Sequence, residues 1–237
     1  MIAYARNGHT DKFGIPRQSR DESPILTRIV FEPEFAVKEA LRGIEDFSHL
    51  WLIWGFNTTD WSPTVRPPRL GGNKRMGVFA TRSPFRPNPI GLSSVKLVGI
   101  QQSAISHQLE LIVSGADVLD GTPIYDIKPY LAFSDCHEDA TNGFAEESKG
   151  YRLAVNWEEI EILLEANEKA AIEYILSQDP RPGYQNDPER EYKMDYAGWN
   201  VTFIVKDATV FVKKVRRRLH ICEKCCIFAD AFENWLL

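Results

Sequence analysis

No stretch of this chain stays apolar for the roughly 18 residues that a membrane-spanning helix needs, so no membrane span is expected. Its four cysteines are too few and too crowded for a disulfide framework. Three of them fall between Cys222 and Cys226, and all are expected to be reduced. The same crowding argues against structural zinc, which draws paired ligands from two separated loops. His220-Ile221-Cys222-Glu223-Lys224-Cys225-Cys226 is one knuckle without a second half, so no metal is expected. The G-x-G-x-x-G cradle and the G-x-x-x-x-G-K-[ST] loop are both missing, which excludes the Rossmann and P-loop ways of holding a nucleotide. With a formal net charge of −5, the chain has no bulk positive field to advertise nucleic acid. The opening Met1-Ile2-Ala3-Tyr4-Ala5-Arg6 has no signal-peptide core, and a cytoplasmic location is expected.

What is present is an ordinary globular composition, 43% hydrophobic and 26% charged over 237 residues, enough for one large or two modest domains. Up to about residue 135 the chain reads as short strands between turn-rich loops. Residues 25–31, 76–80, 94–98 and 108–113 have strand composition, and 35–42 shows a short helical spacing broken at Gly43. The continuous apolar run 50–56 predicts a strand buried on both faces. Strands with almost no helix between them favour a mainly β fold, an antiparallel barrel or sandwich. Residues 136–155 form a polar connector. From Trp157 to Ser177 the apolar residues recur near a 3.6-residue period, and 201–205 and 208–215 alternate as a hairpin around Lys206-Asp207. A larger β domain (1–135) followed by a small α+β domain (156–215) and an atypical basic, cysteine-rich tail (216–237) is therefore expected.

The most informative stretch is Phe85-Arg86-Pro87-Asn88-Pro89-Ile90-Gly91, joined by Asp120-Gly121-Thr122-Pro123 and Asp126-Ile127-Lys128-Pro129-Tyr130. Prolines fix dihedrals and remove amide donors, so these runs predict a rigid site built from loops. Pre-ordered polar groups of this kind suit a small polar ligand. Arg66, Arg69, Lys74, Arg75, Arg82 and Arg86 fall within 21 residues, and no acidic residue follows Ser62 until Glu110. With Trp61, Phe79 and Phe85 among them, these cations resemble a phosphate-tracking surface with stacking rings. Pro16-Arg17-Gln18 offers a fixed bend, a forked donor and an amide. Ser48-His49 stands at the entrance of the aromatic run.

These residues resemble the TrmO family, also called YaeB-like or TsaA-like, from about Lys12 to Val212. The resemblance rests on Pro16-Arg17-Gln18, Phe47-Ser48-His49-Leu50 and the run from Val65 to Gly91 containing Arg-Pro-Pro-Arg-Leu-Gly-Gly-Asn. Asp120 through Tyr130 and Asp179-Pro180-Arg181-Pro182 complete the set, five motifs in order. It implies an antiparallel β-barrel methyltransferase domain followed by a small α+β domain, and a homodimer with the cofactor near the subunit interface. It further implies methylation of N6 of N6-threonylcarbamoyladenosine at position 37 of tRNA, with S-adenosylmethionine as cofactor. Carried over motif by motif, the cofactor is expected against Pro16, Arg17, Gln18, Ser48, His49, Arg82, Leu92 and the turn Leu119, Asp120, Gly121 and Thr122. The tRNA is expected along Arg66, Arg69, Lys74, Arg75 and Arg86, with the C-terminal domain and its Asp179-Pro180-Arg181-Pro182-Gly183-Tyr184 closing over the anticodon loop or the dimer partner. Asn7-Gly8-His9-Thr10 stands where family members usually carry a Ser-Pro-aromatic turn.

The implied reaction needs alignment of nucleophile, methyl and sulfur, and a group that accepts the N6 proton. Asp120, Asp126 and His49 are the candidate acceptors, with Tyr125, Tyr130 and Lys128 orienting the carbamoyl or threonyl carboxylate. Two other readings fit the residues: a noncatalytic RNA-binding barrel, separated by cofactor binding, and a small-molecule methyltransferase, separated by tRNA binding.

Overall fold

The computed structural model describes residues 1–218, apart from 17, 20–21, 58–59, 68–73, 104–107, 149, 158–163, 182–184 and 186. Arg17, Arg69, Tyr184 and the cysteine-rich tail from 219 onward thus lie outside the described residues. In chain order the strands are β1 (Ala3–Arg6), β2 (Leu26–Phe31), β3 (His49–Gly55), β4 (Thr64–Val65), β5 (Met76–Gly77) and β6 (Ile90–Gln102). They continue with β7 (Leu109–Ser114), β8 (Pro123–Pro129), β9 (Ala154–Asn156), β10 (Tyr192–Tyr196), β11 (Trp199–Lys206) and β12 (Thr209–Arg217). Two helices are present among the described residues, α1 (Ala132–Asp135) and α2 (Ala166–Ser177).

The fold is mainly β. Six strands pair antiparallel in the order β1–β2–β7–β6–β3–β8, and β8 pairs again with β1 through Ile124 opposite Ala3. Alternation decides what this sheet encloses. Ala3, Ala5, Ile29, Leu50, Leu52, Val95, Leu111, Val113 and Ile124 are buried together as one core. A second sheet, β10–β11–β12–β9, has its last step parallel. Helix α2 buries Ala171, Ile172, Ile175 and Leu176 against it, one helical stripe facing Val201, Phe203, Val210 and Val212. A reciprocal capping box of Glu165 and Glu168 starts that helix. The hairpin turn Asp207-Ala208 holds both residues at positive φ, 49° and 57°, matching the twist of the strands it joins.

The opening segment reaches from the first sheet to the second. Phe13 stacks on Tyr192 at 6.5 Å, Ile25 joins the second core, and the fully buried His9 meets Tyr196 edge-on at 5.4 Å. Burial pulls the His9 imidazole down to about pKa 4 against an opposing contribution from the Gly14 backbone, so the ring is neutral at pH 7.

The structure corrects four expectations. The proline-rich run Pro123–Pro129 is not a loop but strand β8, paired on both sides. Its prolines stand at the first and last positions, where the missing amide costs the ladder least. The run 50–56 is not buried on both faces: Leu50, Leu52 and Trp54 are buried, while Trp51 and Ile53 are half-buried on the other side. The helical spacing at 35–42 yields only the 3-10 turns Lys38–Leu41 and Ile44–Asp46, separated by Gly43 at φ +83°. The expected strand at 76–80 stops after Gly77 and becomes a 3-10 turn, Val78–Ala80. The hairpin around Lys206-Asp207 and the strands within 25–31, 94–98 and 108–113 are observed.

Trp54 closes one end of the first core. Its indole lies on Gly91, where any Cβ would overlap the ring, and its edge meets Phe56 at 4.3 Å. Gly91→Ala is expected to lower unfolding free energy by about 1–3 kcal/mol through overpacking. The check is a urea titration, in which the midpoint should fall while the slope stays constant. An unchanged midpoint would mean that the indole moves aside freely.

Candidate functional site

Strand β3 lies between β6 and β8, so its outward side chains meet those of both neighbours. His49 stands opposite Lys96 of β6, Trp51 opposite Lys128 of β8, and Ile53 opposite Asp126. Tyr130 follows β8, donates its amide to the His49 carbonyl at 3.0 Å, and packs its ring 5.4 Å from Trp51 and 6.2 Å from His49. The Trp51 indole donates to Asp135 at 2.8 Å, and Asp135 also accepts the Leu131 amide at 2.9 Å. The Ser48 hydroxyl is 2.9 Å from Nδ1 of His49. Lys128 pairs with Asp126 at 2.8 Å, with both side chains about half-exposed, 61% and 48%. The hydrogen bond from Lys128 holds the Asp126 carboxyl below the usual carboxylate range, so Asp126 is ionised at neutral pH. His49, Asp126, Lys128 and Tyr130, drawn from separate motifs, thus share one outward face.

A second group gathers at the start of β6. Arg82 donates to the Gln18 side-chain oxygen at 2.5 Å, and the Ser19 hydroxyl donates to the Ser94 carbonyl. Leu92, on the outward side of β6, is 55% exposed and offers an apolar surface. Beneath it runs a chain that the sequence reading passed over. The Trp54 indole donates to the Ser93 hydroxyl at 2.9 Å, and Ser93 donates to Asp117 at 2.5 Å. Burial pushes the Asp117 carboxyl above the usual range, while Ser93, the charge of Arg82 and the Ser19 amide oppose it. The signal available in sequence was an acid inside the otherwise apolar stretch Ala116-Asp117-Val118-Leu119, directly before a turn.

Asp120 is placed apart from Asp126. Its carboxylate accepts the Asn7 amide at 3.0 Å and faces Arg6 at 3.5 Å, while its own amide donates to the His9 carbonyl at 2.9 Å. Gly121, at φ +78°, then turns the chain into the buried Thr122. Asn7 donates to Thr27 and to the Val118 carbonyl, so it fastens the same turn from the other side. Asp120 thus joins the opening segment to the Leu119–Thr122 turn.

The basic stretch divides in two. Arg66 and Lys74 are exposed, whereas Arg75 donates to Thr64 at 2.7 and 3.1 Å. Arg86 aims one nitrogen at the carbonyls of Val78, Thr81 and Ser83 and lies over the Phe79 ring, stapling its own loop. In the second unit Arg181 grips Asp179 with two hydrogen bonds, 2.8 and 3.0 Å, beside Tyr151 and Tyr192. Burial raises the Asp179 carboxyl, but Arg181 outweighs it and the net shift is downward.

The chain matches two family models in succession: the tRNA-methyltransferase O N-terminal domain over residues 4–136 and the TrmO C-terminal domain over 151–218. A tRNA (adenine(37)-N6)-methyltransferase of Escherichia coli K12 is 40% identical over 222 residues, covering 88% of this chain and 93% of that one. A protein of the same name from Eikenella corrodens is 47% identical over 174 residues, 71% of this chain and 97% of that one. Among solved structures, TrmO from Pseudomonas aeruginosa superposes with a TM-score of 0.73 at 33% identity, covering 91% of this chain and 94% of that one. With both domain models matched in order and relatives aligned across most of its length, the chain belongs to the TrmO, or tRNA-methyltransferase O, family.

Proposed function

We infer that this chain is a tRNA methyltransferase that uses S-adenosylmethionine to methylate N6 of adenine 37. The observation that carries the reading is the match of both family models, in order, together with relatives of that name over 71–88% of the chain. The finer reading is that the acceptor is N6-threonylcarbamoyladenosine, and that residues 1–135 form the β-barrel that binds the cofactor. In this reading residues 136–155 link that barrel to the α+β domain of 156–215. The enzyme is a homodimer working in the cytoplasm, where its tRNA is found. The exposed Phe79, Phe85, Ile90 and Leu92 support a partner surface beside the site.

S-adenosylmethionine supplies a methyl group on a positively charged sulfur. Pro16, Arg17, Gln18, Ser48, His49, Arg82, Leu92 and the Leu119–Thr122 turn would hold it. The described members fit in chemical kind: Arg82 suits a carboxylate, Gln18 and Ser48 suit hydroxyls and ring nitrogens, and Leu92 suits an adenine face. Rigid placement of both reactants can contribute ~7–11 kcal/mol of barrier lowering.

For the proton, Asp126 is the acceptor that the surroundings favour over Asp120, whose carboxylate already serves Asn7 and Arg6. Lys128 gives this choice a chemical logic. A threonyl carboxylate that draws the Lys128 ammonium away removes the hydrogen bond that lowers the Asp126 pKa, and so makes Asp126 a stronger base. General-base help of this kind is worth about 10²–10⁴-fold. The anion that marks the correct substrate thereby also prepares the base.

The deciding experiment is nucleoside mass spectrometry on threonylcarbamoylated tRNA incubated with the protein and S-adenosylmethionine. One added methyl on that nucleoside, absent from unmodified tRNA, is expected; methylation of unmodified adenosine at equal rate would remove the threonylcarbamoyl acceptor. Lys128→Ala is expected to impair methylation of that tRNA much more than cofactor binding. It should also move the acid limb of the rate profile to higher pH, because Asp126 loses the group that depresses its pKa. Equal losses in both assays would assign Lys128 to the cofactor site instead. Arg66→Glu should weaken tRNA binding and make its salt dependence shallower, by about one unit of log–log slope or less per lost phosphate contact. An unaltered slope in Arg66→Glu would remove that residue from the RNA footprint.

A further inference from the structure

We propose that Phe133, held out on the short turn α1 by an Asp135 clamp, is a base-stacking residue that packs on a base flanking adenine 37 of the tRNA. The inference rests on the reading that the substrate is tRNA. Phe133 is 88% exposed, the most open of the large apolar side chains among the described residues. A lone apolar residue at a surface is ordinary; one fixed in place there calls for a reason. The turn that carries Phe133 is fastened to β3 on both flanks. Before the ring, the Tyr130 amide donates to the His49 carbonyl at 3.0 Å, and the Tyr130 ring packs 5.4 Å from Trp51. After it, one oxygen of the Asp135 carboxylate accepts both the Trp51 indole N–H at 2.8 Å and the Leu131 amide at 2.9 Å. The amides of Ser134 and Asp135 donate to the Leu131 carbonyl at 2.9 and 2.7 Å and close the turn between these anchors. All this order serves a turn whose Ala132, Phe133 and Ser134 are exposed.

The surroundings favour a nucleobase over a protein as the occupant. Ala132 and Ser134, on either side of Phe133, are small, so the turn lacks the broad apolar patch of a protein interface. Phe79, Phe85, Ile90 and Leu92 gather toward the other end of β3, where Ile90 stands opposite Gly55. That end is about 20 Å along the strand from His49. The strands that hold the turn present cations instead. Exposed Lys96 stands opposite His49, and exposed Lys128 opposite Trp51, a pairing that suits the phosphates of one RNA strand. A base leaves its stack before an enzyme can work on it, which uncovers its neighbours. An aromatic ring already fixed in position replaces the lost stacking at little cost in ordering. Phenylalanine has no donor, so this contact tolerates any base and does not depend on salt.

The test is binding of threonylcarbamoylated tRNA, with 2-aminopurine at one or the other base flanking position 37, to the full-length protein and Phe133→Ala. With the label on the stacked side, the parent complex should be quenched and the Phe133→Ala complex brighter. Affinity in that variant should fall roughly 5- to 100-fold, the loss of one stacked base. Its salt dependence should keep the parent slope, because no phosphate contact is lost. Phe133→Trp should retain affinity, whereas Phe133→Leu, apolar but without a ring, should not. Cofactor affinity, melting temperature and oligomeric state should all match the parent. Asp135→Ala should also weaken tRNA binding, yet add little to Phe133→Ala; full additivity would overturn the role given to the clamp. Unchanged tRNA affinity and fluorescence in Phe133→Ala would overturn the proposal. Conversion of that variant to monomers would also overturn it, assigning the ring to a second copy of the chain. A parent that binds no tRNA would instead overturn the substrate reading on which the proposal stands.

Discussion

Strand β3 has to serve two environments at once, and the register that permits this governs the rest of the molecule. Its inward residues, Leu50, Leu52 and Trp54, fill the enclosed core, while its outward residues, His49, Trp51 and Ile53, meet Lys96, Lys128 and Asp126. A slip of one residue against β6 or β8 would exchange the two sets. The ladder on either side forbids the slip, and Trp54 seated on Gly91 forbids it again from within.

Asp120 and Asp126, two of the three candidate proton acceptors, are separated by the fold. Asp120 belongs to a turn and answers to Arg6 and Asn7; Asp126 belongs to a strand and answers to Lys128. Similar chemistry, six residues apart, thus acquires different duties from its neighbours. The arginines divide likewise. Arg86, expected along the RNA, aims one guanidinium nitrogen at three carbonyls of its own loop.

Much of this was legible in the sequence, for identifiable reasons. Composition exposed β2 and β7, and alternation exposed the β11–β12 hairpin. The family was legible because its motifs set prolines and glycines at fixed positions. Strand β8 was hidden by two prolines that bracket it, since composition cannot tell a strand's ends from its middle. Trp51 disguised the exposure of β3, because an aromatic residue covered by Tyr130 reads like core. Asp117 was hidden among apolar neighbours. Its hydrogen-bond partner Ser93, and Trp54 behind that, lie far from it in the chain, and no local pattern records their arrival.

His9 gives the molecule an acid-sensitive seam. Between pH 6.5 and about 4 the unfolded chain carries a proton on this imidazole that the folded one excludes. Stability therefore drains away as the solution acidifies across that interval, by roughly 3 kcal/mol at the limit. The loss is localised where the first sheet meets Tyr196 of the second, and where the His9 carbonyl receives the Asp120 amide. A single neutral ring thus works as a fuse: acid places an unwelcome charge on the seam between the two sheets, on the residue whose carbonyl holds the Leu119–Thr122 turn.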